Sequence, residues 1–306
     1  MARPHATRRG DIIRRILITG ANKGIGLACV RAALQQAGDI DVLLGSRDSE
    51  RGAAARQALL EENPAWASRL QVLPIDVTSA DSVDAARTAL LAACADDPAP
   101  LYGLVNNAGV GLASDDLAAV LAVNTLGVKR VCDAFLPLLR DGGRVVNVSS
   151  ASGPKFVSQC SAARQAFFTD GNARWTDIEE LIAQLSAPGD AAQACARLGL
   201  GEFNPYGLSK ACVSLYTLIL ARQHPRLRIN ACTPGYIETD LTRPQALRRG
   251  VSPQEMGMQP PQRGTVSILH LLLGDDPGSG YYFGSDALRS PLDRYRAPGS
   301  PAYTGP

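Results

Sequence analysis

Short apolar runs that alternate with stretches of helical period predict an α/β fold for this chain of 306 residues. The expected architecture has three layers, with a doubly wound, mostly parallel, seven-stranded sheet and helices on both faces. The first apolar run, Arg15 to Thr19, is continuous in the manner of a strand buried on both faces, and it stops at a glycine cluster that opens a helix. With 45% apolar residues the chain can bury a large core, and we expect one domain over residues 11–290. A polar, aperiodic leader at 1–10 and a loose tail rich in Pro, Gly and Ser at 291–306 flank it.

Composition excludes several classes. Lys and Arg number 31 against 29 Asp and Glu, for a net charge of +2, so there is no electrostatic footprint for nucleic acid. No apolar run reaches the length of a membrane span, and no apolar signal segment stands near the start, so a soluble, cytoplasmic protein with no membrane partner is expected. The seven cysteines are odd in number, scattered and without a Cys-x-x-Cys, which reads as reduced and structural. His5, His224 and His270 share no ligand spacing, and no metal is expected.

Between the first strand and the helix opening near Ile25 lies Gly20-Ala21-Asn22-Lys23-Gly24-Ile25-Gly26. Glycines there let the backbone turn tightly and approach a pyrophosphate, whose charge then sits at the helix N-terminus. Such a loop in this context points to a dinucleotide-binding Rossmann fold, a purely structural turn being the other reading. The second strand, Asp41 to Leu44, leads into Ser46-Arg47-Asp48. A carboxylate at that strand end would accept from the ribose hydroxyls of NAD, whereas Arg47, with Lys23 and Arg51, suits the 2′-phosphate of NADP(H). An ordinary loop cation is the other reading of Arg47.

The third strand, Leu70 to Ile75, ends in Asp76-Val77, with Asp76 placed either to accept from the adenine amino group or to cap its loop. Strand four, Leu101 to Val105, precedes Asn106-Asn107-Ala108-Gly109, a loop able to hydrogen-bond its neighbours and leave room for a flat ring. A helix is expected over 115–140 with Asn124 inside it, where asparagine competes for backbone hydrogen bonds. Strand five, Arg144 to Val148, delivers Ser149-Ser150 to the carboxyl edge of the sheet, where open parallel sheets bind ligands.

An insertion of about fifty residues, 155–204, follows. It reads as a polar loop, then a helix with a capping box at Thr176 and a further helix from Ala191 to Leu198. The next helix opens Pro205-Tyr206-Gly207-Leu208-Ser209-Lys210. Residues four apart share a helix face, so Tyr206 and Lys210 would bring a phenol and an ammonium together, and the cation would draw the phenol's pKa toward neutrality. Alone, this pair is weak evidence. Strand six, Leu227 to Cys232, leads to Thr233-Pro234-Gly235-Tyr236-Ile237-Glu238-Thr239, expected over the nicotinamide end of the cofactor. A helix over 261–273 and a last strand at 280–284 complete the pattern.

In this order, the glycine loop, Asn106 to Gly109, Asn124, Ser150, Tyr206-x-x-x-Lys210 and Pro234-Gly235 resemble the short-chain dehydrogenase/reductase family across nearly all of residues 15–283. The glycine loop, Ser46-Arg47-Asp48 and the long insertion resemble its monomeric carbonyl reductase branch. The resemblance implies that Tyr206 protonates a carbonyl oxygen, that Ser150 hydrogen-bonds it, and that Lys210 lowers the tyrosine pKa and holds the nicotinamide ribose. It further implies that Asn124 completes a proton relay through water. Cofactor contacts would come from Gly20, Asn22, Lys23, Gly24, Ile25, Gly26, Arg47, Arg51, Asp76, Val77, Asn106, Ala108, Gly109, Pro234, Gly235 and Thr239, besides Tyr206 and Lys210. Ala151, Tyr236, Ile237 and Leu241 would form the substrate pocket.

The chain departs from the family pattern in a shorter loop between Gly109 and Asn124, smaller residues at Ala151 and Ser152, Tyr236 in place of a larger aromatic, and a longer, dissimilar tail. The expected activity is NADPH-dependent reduction of a ketone, aldehyde or quinone. Oxidation of a specialised alcohol, such as a steroid or terpenoid, and NADP(H) sensing without turnover are the alternatives. Because the insertion can cover the apolar face of the tyrosine helix from within the chain, a monomer is expected.

Overall fold

The computed structural model describes residues 13–305 apart from 96, 113 and 188; the leader expected at 1–10 lies outside the described residues. Its first half alternates strand and helix: β1 (Arg14–Ile18), α1 (Gly24–Gln36), β2 (Ile40–Ser46), α2 (Ser49–Glu62), β3 (Leu70–Pro74), α3 (Ala80–Ala93) and β4 (Leu101–Asn106). Then come α4 (Leu117–Asn124), α5 (Leu126–Phe135) and β5 (Leu139–Val148). Four short helices follow: α6 (Ser152–Ser158), α7 (Ala162–Thr169), α8 (Trp175–Ser186) and α9 (Ala191–Arg197). They lead to α10 (Pro205–Gln223), β6 (Arg228–Cys232), α11 (Arg243–Arg249), α12 (Val266–Leu273), β7 (Tyr282–Phe283) and β8 (Arg289–Ser290).

The strands form one sheet in the order β3-β2-β1-β4-β5-β6-β7-β8, parallel except for the last pair. The order reverses beside β1, between β1 and β4, which opens a crevice at their carboxyl ends. Two apolar layers pack against the sheet. One holds Cys29, Leu34, Ile268 and Leu271 of α1 and α12, and the other holds Val131, Phe135, Leu215 and Ile219 of α5 and α10.

Four expectations need correction. The sheet has eight strands, not seven: β8 has no apolar run and arises because the chain turns back after Phe283 and pairs antiparallel with β7. The helix expected over 115–140 is two helices that part at Thr125, whose Oγ1 donates to the Ser209 carbonyl at 3.1 Å, and the second ends at Phe135 because β5 already begins at Leu139, ahead of the expected Arg144. The polar loop expected before Thr176 holds α6 and α7, and α8 begins two residues earlier than a Thr176 cap would place it, with Arg174 as N-cap and Asp177 accepting from its amide at 2.8 Å. Finally, the chain beyond 290 is held in place: Arg296 pairs with Asp286 at 2.6 Å, and the Tyr303 amide donates to the Arg289 carbonyl at 2.9 Å. No helix among the described residues is long and apolar enough to cross a membrane.

Candidate active site

The glycine loop is shaped by contacts that exclude side chains. Gly20 adopts φ +61°, and a Cβ there would stand 2.9 Å from the Ala108 Cα; at Gly26 a Cβ would stand 2.6 Å from both the Asn107 Nδ2 and the Gly20 carbonyl. Thr19 joins this loop to the turn after β4, its Oγ1 accepting from the amides of Asn107 (3.0 Å) and Ala108 (3.1 Å). Asn107 returns two bonds from Nδ2, to the carbonyls of Thr19 (2.9 Å) and Gly20 (3.1 Å). The N-terminus of α1 emerges from this brace with no side-chain cap and no acid in its first turn. Its free amides suit an anion.

A single cleft of about 1280 Å³ runs from this loop across the carboxyl edge of the sheet. Gly20, Asn22, Lys23, Gly24, Ile25, Arg47, Arg51, Asp76 and Val77 line one end. Ala108, Gly109, Ser150, Ala151, Tyr206, Lys210, Pro234, Gly235, Tyr236, Ile237, Thr239 and Leu241 line the rest. The expected residues therefore converge, with three exceptions. Gly26 packs under the loop and is not on the cleft wall. Asn106 is buried beneath it and donates from Nδ2 to Asn147 Oδ1 at 2.8 Å, so the cleft amide of that pair is Asn107.

The third is Asn124, which is wholly buried behind the wall. Its Oδ1 accepts from the Val110 amide at 2.9 Å, and its Nδ2 donates to the Val110 carbonyl and to Ser209 Oγ, each at 3.0 Å. The asparagine thus ties the loop after β4 to α10, where helix and hydrogen bonding break together. Its poor fit to a helix interior was the visible signal; the partners were not.

The electrostatics of the Tyr206–Lys210 pair depart from expectation. Lys210 is buried and donates from Nζ to the Val148 carbonyl at 2.8 Å, while Nζ lies 5.7 Å from the centroid of the Tyr206 ring. Burial draws the Lys210 ammonium down to about 8. Burial also raises the Tyr206 phenol above the ordinary tyrosine value, with the Ser150 hydroxyl working against it as a hydrogen-bonding neighbour. The expected lowering of the phenol by Lys210 is absent because desolvation outweighs a charge held toward the main chain. Ser150 Oγ accepts from the Ser152 amide at 3.1 Å, which leaves its own proton to donate.

At the other end Arg47 is exposed and forms no ion pair among the described residues. Lys23, expected beside it, instead meets Asp240 across the cleft mouth at 2.6 Å and holds that carboxyl below the usual carboxylate range. Arg51 pairs with Asp48 at 3.3 Å. Asp76 uses Oδ1 to accept from the amide and hydroxyl of Thr78, at 2.9 and 2.7 Å, so it caps its loop while facing the cleft.

A family model described as short chain dehydrogenase matches residues 14–166. Carbonyl reductase [NADPH] 3 of Rattus norvegicus is 35% identical over 248 residues, covering 77% of this chain and 86% of that protein. This chain belongs to the short-chain dehydrogenase family. Among its relatives, (+)-neomenthol dehydrogenase of Arabidopsis thaliana is 30% identical over 298 residues, 88% of this chain and 95% of that one. Salutaridine reductase from Papaver somniferum shares the fold at TM-score 0.70 and 24% identity, over 88% of this chain and 99% of the other. The short-chain dehydrogenase fold thus carries a resemblance to the carbonyl reductase branch.

Residues that the sequence placed beside the site without giving them a role in it also serve it. Thr19 and Asn107 brace the loop, and Ser149 Oγ donates to the Lys210 carbonyl at 3.0 Å, fixing the turn of α10 that carries the lysine. Their polar side chains at strand ends were visible, but their partners lie far along the sequence. Tyr295 and Arg296, also on the cleft wall, lie in the stretch read as a tail.

Proposed function

We propose that this short-chain dehydrogenase reduces a ketone, aldehyde or quinone with NADPH. The observation that carries the proposal is one cleft that has an uncapped helix N-terminus and Arg47 at one end and Ser150, Tyr206 and Lys210 at the other. The glycine loop leaves backbone room for a pyrophosphate, the amides of α1 offer donors, and Arg47 offers a guanidinium, unpaired among the described residues, for a 2′-phosphate. Arg51 and Lys23 stand nearby, Asp76 and Val77 flank the adenine end, and Pro234, Gly235 and Thr239 flank the nicotinamide end. When bound, the cofactor supplies the hydride.

The protein's own share is orientation and proton delivery. Ser150 donates a hydrogen bond to the substrate carbonyl oxygen, and Tyr206, kept protonated by its burial, gives that oxygen its proton. Lys210 holds charge beneath the phenol and lies where a nicotinamide ribose would be fixed. Asn124 acts by positioning the loop that carries Gly109 against α10. Ala151, Tyr236, Ile237 and Leu241 shape the pocket; Tyr236 is held by a hydrogen bond to Gln245 at 2.8 Å. We further propose that the protein is monomeric and cytoplasmic.

The test is NADPH consumption by purified protein with a panel of ketones, aldehydes and quinones. Turnover that falls by roughly 10²–10⁴-fold in Tyr206→Phe is expected; no turnover, or equal rates for wild type and variant, refutes the proposal. The name of the Arabidopsis relative favours a second reading, oxidation of a terpenoid alcohol by NADP⁺ with the same residues, and the panel therefore includes such alcohols. Tight NADP(H) binding without turnover of any of these would instead indicate a sensing role.

A further inference from the structure

The chain beyond β8 returns across the substrate half of the cleft and is pinned there. Asp286 accepts from Arg296 at 3.1 Å (Nη1 to Oδ1) and 2.6 Å (Nη2 to Oδ2), and from the Gly299 amide at 2.9 Å. The Arg296 side chain is only 6% exposed, so this is an anchored strap. It sets Tyr295 into the wall of the cleft that also holds Ser150 and Tyr206. Facing Tyr295 is Lys155 of α6, whose Nζ lies 4.5 Å from the ring centroid.

Charge pairing and the aromatic contact together single out Lys155: Arg47, Lys210 and Arg263 also line the cleft without an ion pair among the described residues, but Lys155 is the one whose ammonium lies over Tyr295. Asp286 satisfies Arg296, and Glu238 and Asp240 satisfy Arg243 at 3.0 and 2.7 Å. Lys155, exposed on the same wall, forms no ion pair among the described residues. An ammonium over an aromatic face keeps its remaining donors, so it can take an anion while the ring takes a flat apolar body. Tyr295 is 46% exposed, which leaves ring surface for that contact. Ser150 stands two residues before α6 and Lys155 is the fourth residue of that helix; five residues at a helical rise span roughly 7–8 Å.

We propose that Lys155 and Tyr295 form a recognition subsite for carbonyl compounds that bear a carboxylate on a flat body, so that the carboxylate meets Lys155 while the carbonyl meets Ser150 and Tyr206. The proposal rests on the carbonyl reductase reading and adds the substrate class. Lys155 is a positioning residue and touches no reacting atom.

The test compares 4-acetylbenzoate with its methyl ester as substrates, and measures binding of the acid to the protein–NADP⁺ complex by calorimetry. Wild type should favour the acid through a lower KM. Lys155→Gln should lower the acid-to-ester ratio of kcat/KM about tenfold through KM, with kcat on the acid held, and Lys155→Arg should restore most of it. Tyr295→Ala should raise KM for both. An equal loss on acid and ester in Lys155→Gln, or no preference in wild type, overturns the subsite. If neither ketone is reduced, binding decides: acid affinity that falls about tenfold in Lys155→Gln sustains the subsite while the reductase reading fails, and acid that does not bind overturns it.

Discussion

Lys210 carries a charge into a place where little offsets it. Its carbonyl partner satisfies one of three donors, and burial brings the ammonium from its ordinary 10.5 to about 8. Below pH 8 both folded and unfolded chains bind the proton, and the cost of burying the charge stands in full, about 3 kcal/mol. Between 8 and 10.5 the unfolded chain binds more protons than the folded one, so this contribution to stability rises with pH. Buried thiols act oppositely: burial raises Cys132, Cys212 and Cys232 to about 12, and stability is lost where their unfolded counterparts ionise, above about pH 9. The difference between wild type and Lys210→Met isolates the lysine. Without cofactor, urea unfolding should show wild type gaining about 1 kcal/mol on the variant between pH 7 and pH 9; a constant difference would mean that the ammonium is not desolvated. Arg47 gives a second prediction at this scale. Arg47→Ala should raise the KM for NADPH by roughly tenfold or more and leave that for NADH nearly unchanged, since a charge-assisted pair to the 2′-phosphate exists with only one of them. Both cations could be named from sequence. The field around Lys210 could not, because Val148 reaches it from β5, and neither could the diversion of Lys23 from Arg47 to Asp240.

At the scale of elements, the strands that sequence reveals are those with apolar runs, as in β1, β2 and β4, whereas β5 was legible only in its second half because Arg140-Asp141-Gly142-Gly143 break its start. The edge strand β8 is formed from Arg289-Ser290 and exists only through its partner Tyr282-Phe283. The parting of α4 and α5 was hidden for the same reason: apolar residues continue on both sides of Asn124-Thr125, and the helix yields to a hydrogen bond from the Val110 amide and to two that Asn124 and Thr125 donate to Ser209. The glycine loop was the opposite case, since three glycines after a strand report the need for close backbone approach. What sequence missed was the separate duty of Gly26, which accommodates Asn107 and sits off the cleft wall. Gly26→Ala would push a methyl to 2.6 Å from a main-chain carbonyl that cannot rotate aside. Overpacking of this kind costs about 1–3 kcal/mol. The variant should unfold at lower urea by that amount and bind NADPH more weakly, because displacement of Asn107 releases the loop brace; unchanged stability would show that the loop shifts freely.

For the whole molecule, the decisive element is α10, in which fifteen of nineteen residues are buried within a single chain. A helix apolar all round needs cover on every side. One side is the sheet, and the insertion supplies others: Trp175 of α8 meets Tyr216 edge-on at 5.0 Å, Phe156 of α6 lies against Gly207, and the Ala173 carbonyl before α8 accepts from Arg222 at 2.8 Å. In effect the insertion occupies ground that a second subunit could otherwise cover, so light scattering should give 32.3 kDa at all concentrations. The insertion is also separable. The Ser161 amide donates to the Gly199 carbonyl at 2.8 Å, so the ends of the excursion already meet and residues 162–198 can be replaced by two glycines without stretching the chain. That excision uncovers Tyr216 and removes the burial of Phe168, Ile178, Leu181 and Leu185, each worth about 1.5–3 kcal/mol. The remaining sheet and α10 keep their own contacts, so circular dichroism should still report an α/β protein, but one that associates into dimers or larger species in proportion to concentration. An excised protein that stays monomeric and as stable as wild type would mean that the insertion covers nothing that matters, and a wild type that dimerises at micromolar concentration would mean that the cover is incomplete.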